Sequence, residues 1–265
     1  MLYSAVCCAQ QNAWDNLARP LFFAPLGSAS AIEGPIDSIV EDERGLMWFT
    51  TSNGLWRWDS HFLTKVKFPS TLDSEALPQI QHTFKDHQNR IWAGTSEGLF
   101  LLDQVRSELT PVEVQKVSDI SIQNAATVSV ANSEILVLAE DRKLFQFDIL
   151  SKQLSSIPLP TSMRIYALCI DDKNTLWVGA ENGLYYATYD HGVFGVLQKV
   201  NALPNDARIT TLKHLSSGQL IIGTARDGLF IKHQNKQYEH IELQGNAQSA
   251  WVYNIVEKTD NTLIV

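Results

Sequence analysis

A pattern of residues that recurs about every 44 positions limits the folds open to this chain. Four stretches align with one another: EDERGLMWFTTSNGLWRWD, KDHQNRIWAGTSEGLFLLD, IDDKNTLWVGAENGLYYATYD and LSSGQLIIGTARDGLFIK. The chain ends in a shortened copy, EKTDNTLIV, and a degenerate copy, NSEILVLAEDRKLFQFD, lies in the middle. A repeat of about 40–50 residues without a helical period is typical of propeller blades.

Two apolar positions keep register through the copies. The first, used here as the anchor, holds Trp48, Trp92, Leu136, Trp177, Ile221 and Ile264, which are 41 to 44 residues apart. The second stands twelve residues earlier and holds Ile36, Ile80, Ile165, Ile209 and Val252. The degenerate copy breaks this register, because Asn124 stands at its second position. We interpret the three tryptophans as blade core rather than as a stacking platform.

Turn residues divide each copy into strands. Three residues before the anchor stand Gly45, Asn89, Asn174, Gly218 and Asn261, and six or seven after it stand Gly54, Gly98, Gly183 and Gly228. Gly and Asn tolerate positive φ, so both columns predict tight turns, the first of them capped by the side chains of Asp42, Asp86 and Asp171. The sequence therefore predicts an all-β fold, a β-propeller of four-stranded blades, because such sheets have two apolar faces and must stack.

The predicted domain organisation follows from where the repeats begin and stop. About five and a half blades are visible, and we expect residues 21–265 to be a C-terminally truncated propeller sensor domain, a fragment of a propeller of seven blades, which needs about 308 residues. Residues 1–20 are apolar and rich in small residues and then polar. This pattern predicts a leader or signal-peptide remnant followed by a linker.

Composition narrows the possible functions. The net charge of −8 and the isoelectric point of about 5.3 predict a surface that repels phosphate backbones, so we expect no nucleic-acid partner. Seven histidines and three cysteines lack metal-ligand spacing, and no GxSxG, HExxH or phosphate-binding loop occurs. We therefore predict no metal, no cofactor and no catalytic residue.

The combined pattern D-x-x-G/N-x-x-W-x-G-T-x-x-G-L resembles the two-component regulator propeller repeat. The segment from Asp86 to Leu99 carries it almost whole, and the segment from Asp171 to Leu184 is nearly as close. Thr50 replaces the glycine of the middle strand in the first copy, and Ile221 replaces the tryptophan in the fifth. The resemblance covers about residues 33–265.

This resemblance implies a function as well as a fold. Such propellers form the periplasmic sensor part of membrane-anchored bacterial signalling proteins, whose output is a histidine kinase, often a hybrid two-component protein, or a diguanylate cyclase. The resemblance thus implies an output domain and a membrane attachment outside this chain, a homodimer in the full-length receptor, and a small-molecule or oligosaccharide ligand. It implies that the chain itself is no enzyme.

Candidate ligand contacts lie where the chain enters each inner strand. The residues just before the second apolar position include Gln79, Arg164, Arg208 and Trp251, which we expect at one height around the central channel. An amide, two guanidinium groups and an indole can hold a sugar, a carboxylate or a sulfate. The turn tips Asn53, Glu97, Asn182 and Arg226 would add polar contacts. The alternative is that both sets are solvated rim and turn residues without a common partner.

Three functions compete at this point. The first is a ligand sensor, the second a protein-interaction or dimerisation scaffold, and the third a propeller hydrolase or lyase that acts on glycans. The turns resemble the Asp-box of sialidases, but six residues rather than five separate Asp42 from Trp48 and Asp86 from Trp92. An enzyme would also need a converged acid/base pair, which the sequence does not reveal.

Overall fold

The described residues form a series of small antiparallel sheets. The computed structural model describes residues 35–68, 78–113, 122–130, 133–204, 206–235, 237–241, 251–257 and 263–264. They contain 23 β-strands and no α-helix. Five blades have their strands in sequential order, and a two-stranded hairpin begins a sixth. The predicted β-propeller of about five and a half blades is therefore confirmed, whereas the predicted leader lies outside the described residues.

The first three blades are four-stranded meanders. Blade 1 consists of β1 (Ile36–Glu41), β2 (Met47–Thr51), β3 (Gly54–Trp58) and β4 (Leu63–Lys65). Blade 2 consists of β5 (Ile80–Lys85), β6 (Ile91–Thr95), β7 (Gly98–Asp103) and β8 (Glu108–Pro111). Blade 3 consists of β9 (Asn124–Val130), β10 (Ser133–Glu140), β11 (Lys143–Asp148) and β12 (Gln153–Ser156).

The remaining blades continue the same order, with one addition. Blade 4 consists of β13 (Ile165–Ile170), β14 (Thr175–Ala180), β15 (Gly183–Asp190), β16 (Val193–Phe194) and β17 (Gln198–Lys199), the last two both pairing with β15. Blade 5 consists of β18 (Ile209–His214), β19 (Leu220–Thr224), β20 (Leu229–Lys232) and β21 (Tyr238–Ile241). The hairpin of blade 6 consists of β22 (Val256–Glu257) and β23 (Leu263–Ile264).

The turn after the inner strand depends on an aspartate and a tryptophan. In blade 4, Asp171 Oδ1 accepts the N–H groups of Lys173 and Thr175 at 2.9 Å, and Oδ2 accepts the Trp177 indole N–H at 3.0 Å. Asn174 takes the positive φ of 58° that the spacing predicted. Burial disfavours the ionised form of Asp171, but the bonds from Trp177 and the backbone outweigh it and keep the pKa of this carboxyl below its ordinary value. The predicted cap is therefore confirmed.

Apolar clusters hold neighbouring blades together. Trp177, only 5% exposed, packs in one cluster with Ile209 and Leu220 of blade 5. Its neighbours Leu176 and Val178 point to the other side of β14 and pack in the cluster shared with blade 3. Blade 4 thus buries one face against blade 3 and the other against blade 5, as the repeat pattern predicted.

A glycine in the second strand of the blade, called the middle strand here, sets how closely two blades approach. A Cβ atom added at Gly179 would lie 2.7 Å from Cγ2 of Ile209, the residue that begins the next inner strand. The equivalent glycines, Gly94 and Gly223, meet Ile122 and Val252 of the next blade at 2.7 and 2.6 Å. These distances leave no room for a side chain, so the repeated glycine is required by packing between blades.

Two departures from the repeat are compensated by their surroundings. Thr50, in place of the glycine, is buried, and its hydroxyl lies 3.0 Å from that of Thr83 in blade 2. In blade 5, Leu215 and Ile221 replace the aspartate and the tryptophan together, and both are buried in the cluster shared with blade 6. An apolar pair therefore takes the place of a hydrogen-bonded pair, and no buried polar group is left without a partner there.

Blade 3 corrects two sequence predictions. The turn flanked by Glu140 and Lys143 places Val137, not Leu136, at the position of Trp177. Leu136 faces blade 2 and Val137 faces blade 4, since neighbouring strand residues point to opposite faces. Ile122, only 2% exposed, takes the second apolar position that was predicted at Asn124, and its N–H donates to the Thr95 carbonyl at 3.2 Å. The hairpin between β9 and β10 is longer than in the other blades, so a fixed offset misplaced both residues.

A methyl group at Gly179 should destabilise the packing of blade 4 on blade 5. We expect Gly179→Ala to lower the free energy of unfolding by about 1–3 kcal/mol, the usual cost of overpacking. Gly195→Ala is the matched control, because the nearest atom to its added Cβ, the Thr188 carbonyl oxygen, lies 3.8 Å away. The control should change stability by no more than about 0.5 kcal/mol. Equal urea-unfolding midpoints for the two variants would contradict the close-approach role.

The partly buried His82 should make stability depend on pH. Burial lowers the pKa of His82 to about 4, whereas an unfolded histidine has a pKa of about 6.5. Between these values only the unfolded chain takes up the proton, so the free energy of unfolding should fall as the pH drops from about 6.5 to about 4. We expect His82→Gln to reduce this slope in urea titrations at several pH values, and the exposed control His61→Gln to leave it unchanged. A slope unaffected by His82→Gln would refute the assignment.

Candidate functional site: the cluster at the entry to blades 4 to 6

The backbone brings the predicted contact residues to equivalent places around the ring. The carbonyl oxygens of Gln79, Arg164 and Arg208 each accept a hydrogen bond from the first residue after the middle strand of their own blade, at 2.9 to 3.0 Å. In blade 6, the N–H of Val252 donates to Thr224 of blade 5 at 3.0 Å and places Trp251 just before it. These residues therefore lie at one end of the inner strands, where the chain enters each blade.

A β-bulge follows the first residue of the inner strand in blades 1, 2, 4 and 5. In blade 4, Ile165 pairs with Ala180 and Ala167 pairs with Gly179, so Tyr166 has no partner in the ladder. The same shift occurs in β1, β5 and β18. A bulge redirects the extra side chain out of the sheet pattern. In these blades the residue after the second apolar position, such as Tyr166, therefore lies at the entry end, as does the residue before that position.

Five side chains meet at this end in blades 4 to 6, and we call them the entry cluster: Arg164, Tyr166, Arg208, Trp251 and Tyr253. The guanidinium carbon of Arg208 lies 5.8 Å from the centre of the Tyr166 ring and 5.9 Å from that of Trp251. Trp251 stacks on Tyr253 at 5.7 Å with an angle of 25°. Trp251 is 42% and Tyr253 80% exposed, so the cluster presents aromatic faces to solvent.

The two arginines of the entry cluster differ in their electrostatic surroundings. Arg164 donates from Nε to Asp141 Oδ1 at 2.9 Å, and Asp141 first and Tyr166 second raise the pKa of Arg164 above its ordinary value. Arg208 forms no ion pair with any carboxylate in the described part of the chain. Its positive charge is held against the Tyr166 and Trp251 rings, an arrangement that leaves the donor fork open to an anion.

The other predicted contact residues lie outside the entry cluster. Asn53 accepts the Lys65 ammonium at 3.3 Å, and Asn182 accepts the Tyr185 hydroxyl at 3.2 Å. The backbone N–H of Gln79 donates to the Ser96 hydroxyl, that of Glu97 donates to the Thr95 hydroxyl, and Arg226 is exposed. The ligand-contact role of these five residues stays a prediction, as does the alternative that they are solvated rim and turn residues.

Sequence reasoning missed two members of the entry cluster. Tyr166 and Tyr253 each follow a residue of the second apolar column, Ile165 and Val252. The position after the second apolar column is a weak signal on its own, because strict strand alternation would give its residues no special place at the entry end. The bulge provides that place in blade 4, and pairing partners identify a bulge where residue types alone do not.

No group of three or more His, Cys, Asp or Glu side chains in the described ranges is arranged so that it could hold a metal ion. No helix in the described part of the chain is long and apolar enough to cross a membrane.

Comparison with known proteins supports the repeat assignment. The family model described as "Two component regulator propeller" matches residues 158–182, which include the Asp171 turn and Trp177. Residues 158–182 thus carry the two component regulator propeller repeat. The resemblance inferred from the sequence motif is thereby confirmed, and no curated protein matches the chain.

Solved structures share the fold at low sequence identity. The extracellular domain of a one component system from B. thetaiotaomicron is 18% identical, with a TM-score of 0.56, over 88% of this chain and 37% of its own. The extracellular domain of a hybrid two component system from the same organism is 16% identical, with a TM-score of 0.57, over 88% and 38%. Both likenesses concern the fold alone, and this chain spans less than two fifths of either protein.

A third similar structure is an enzyme. Virginiamycin B lyase from Staphylococcus aureus is 13% identical, with a TM-score of 0.59, over 79% of this chain and 70% of its own. The same architecture therefore occurs in extracellular domains of signalling proteins and in a lyase. The absence of enzymatic activity in this chain consequently stays a prediction.

Proposed function

We propose that this chain is the ligand-sensing propeller of a membrane-anchored bacterial signalling protein, exposed in the periplasm. Its output, a histidine kinase or a diguanylate cyclase, and its membrane attachment would belong to segments outside this chain. The two component regulator propeller repeat at residues 158–182 supports this proposal. The likeness in fold to extracellular domains of one component and two component systems supports it further.

The ligand would bind at the entry cluster, and Arg208 carries this part of the proposal. Its guanidinium carbon lies 5.8 and 5.9 Å from the centres of two aromatic rings, and it lacks an ion pair in the described residues. A planar guanidinium binds carboxylate or sulfate through two parallel hydrogen bonds. The exposed stack of Trp251 and Tyr253 offers an apolar face to a sugar ring. We therefore expect a small molecule or oligosaccharide that bears a carboxylate or sulfate group.

Such a ligand would link three blades. Tyr166 belongs to blade 4, Arg208 leads into blade 5 and Trp251 leads into blade 6. Binding across them would strengthen the contacts between blades in the ligand-bound state relative to the free state. We propose that such a change in one subunit of a homodimer is transmitted to the output domain.

The entry cluster can be tested by thermal-shift assays of the chain against neutral, uronic-acid-containing and sulfated oligosaccharides and amino acids. A ligand at 100 times its Kd should stabilise the native state by about 2.7 kcal/mol. We expect acidic saccharides to give this shift and Arg208→Ala and Trp251→Ala to abolish it, because they remove the charge and the stacking face. Arg106→Ala is the control, since Arg106 is an exposed arginine of blade 2 that pairs with Asp103.

The result that would exclude the entry cluster is a thermal shift retained in both Arg208→Ala and Trp251→Ala. Absence of any shift over the whole panel would count against ligand sensing by this chain. In that case the interaction scaffold becomes the better explanation.

A specific observation favours the scaffold as the second candidate. The turns between the third and fourth strands of blades 2 and 3 carry Val105 and Leu150, which are 82% and 68% exposed, and β16 of blade 4 begins with Val193, which is 55% exposed. In blades 2 and 3 an aspartate caps the turn, Asp103 and Asp148 accepting two N–H groups each. Apolar side chains in equivalent places on successive blades are suited to a protein partner.

If these turns form a dimer interface, the triple variant Val105→Asp, Leu150→Asp and Val193→Asp should be monomeric under conditions where the wild-type chain is dimeric. Charges placed in a desolvated interface oppose association. Analytical ultracentrifugation measures the difference, and Val196→Asp, also at an exposed valine, is the control. A wild-type chain that is monomeric at all concentrations, or a triple variant that still dimerises, would exclude this surface.

A further inference from the structure

A cleft between blades 4 and 5 lies at the other end of the inner strands from the entry cluster. Its volume is about 680 Å³, and its walls include Trp177 and Tyr186 of blade 4 and Lys232 and Tyr238 of blade 5. The turn that contains Asp171 follows β13, whereas Arg164 of the entry cluster precedes it. A strand of six residues spans about 20 Å, so the two places are separate.

The cleft is open because a small residue stands where blade 2 has an arginine. Arg90, two residues before Trp92, lies 5.4 Å from the centre of the Trp92 ring and pairs with Asp86 of its own blade and Glu134 of blade 3. Thr175 occupies the same place relative to Trp177, on the same face of its strand. Threonine is too short to extend over the indole as Arg90 extends over Trp92, and Lys232 of blade 5 approaches the Trp177 ring instead.

The walls of the cleft combine aromatic faces with positive charge. The Lys232 ammonium lies 5.0 Å from the centre of the Trp177 ring, and the Trp177 and Tyr186 rings are 5.6 Å apart. Lys173 and Lys199 also line the cleft. Of its two aspartates, Asp171 already accepts hydrogen bonds from the turn and the indole. In a chain with a net charge of −8, this concentration of lysines attracts an anion.

Tyr238 supplies a hydrogen-bond donor to the same space. Burial, with a contribution from Tyr186, raises the pKa of Tyr238 to about 12, so its hydroxyl stays protonated at neutral pH. The Tyr186 hydroxyl donates to Gln198 at 2.7 Å, whereas the Tyr238 hydroxyl forms no hydrogen bond with a described residue. A partly buried phenol donor beside a lysine can hold a carboxylate oxygen through charge-assisted hydrogen bonds.

We propose that this cleft is a second ligand site, which binds a small carboxylate that carries a ring. Lys232 and Tyr238 hold the carboxylate, and the ring packs against Tyr186 and Trp177. The volume fits the range of about 300–1,000 Å³ that small-molecule sites occupy. This site is additional to the proposed sensing at the entry cluster and does not depend on it.

The test uses glucuronate and 4-hydroxybenzoate as probes and methyl glucoside and 4-hydroxybenzyl alcohol as their neutral counterparts. Saturation-transfer NMR detects binding to the chain, and isothermal titration calorimetry measures Kd. We expect at least one acidic probe to bind and its neutral counterpart not to bind. Lys232→Met and Tyr238→Phe should each weaken binding by about tenfold or more, the loss expected for one charge-assisted hydrogen bond.

Thr175→Arg provides the sharpest variant. It places an arginine beside Trp177 and Asp171 as Arg90 stands beside Trp92 and Asp86, so the side chain should fill the cleft, and the melting temperature checks that the variant folds. Binding of the acidic probe should then be lost. Lys143→Met, which removes an exposed lysine of blade 3, should bind as the wild type does.

Arg208→Ala separates this site from the entry cluster. If the probe binds in the cleft, this variant should bind it with the wild-type Kd. Binding that is lost in Arg208→Ala and kept in Thr175→Arg would overturn the cleft proposal and support the entry cluster. Failure of both acidic probes to bind would overturn the cleft proposal alone.

Discussion

The structure depends on the contact that each middle strand makes with the inner strand of the next blade. A single sheet of this composition has two apolar faces, and only a neighbour on either side removes both from water. At Gly179 the approach is so close that a Cβ would lie 2.7 Å from Ile209. The same contact fixes the position along the propeller axis at which the inner strand of the next blade begins. Packing between blades and the position of the entry residues therefore have one physical cause.

Much of this arrangement could be predicted from the sequence because it repeats. The Asp171 cap, the positive φ of Asn174 and the burial of Trp177 each follow from a residue type that recurs in register. Blade 3 could not be aligned in the same way, since it lacks the aspartate and the tryptophan that mark the register. Only strand pairing shows that Ile122 and Val137 take the expected places.

The candidate site could be predicted in part. Spacing placed Arg164, Arg208 and Trp251 at one level, but residue spacing carries no information on which side chains meet. The contacts depend on neighbours that the pattern did not select: Tyr166 for Arg208, and Asp141 for Arg164. Ion pairing with Asp141 leaves Arg208, rather than Arg164, as the cation available to a ligand. The open cleft at Trp177 was likewise hidden, because the tryptophan itself is buried as predicted and the difference lies in Thr175.

The bulge in the inner strand has a consequence for how such a protein can change during evolution. Tyr166 stands outside the hydrogen-bonded ladder, and in the other blades Asp37, Gln81 and Thr210 hold the same position. Four chemically different residues are accepted there because the hydrogen-bonded ladder passes over this position, although the Thr210 hydroxyl also donates to the Gly223 and Val252 carbonyls. Substitutions at these positions can therefore alter what the entry end recognises while the scaffold stays intact, and ligand specificity can diverge faster than the fold.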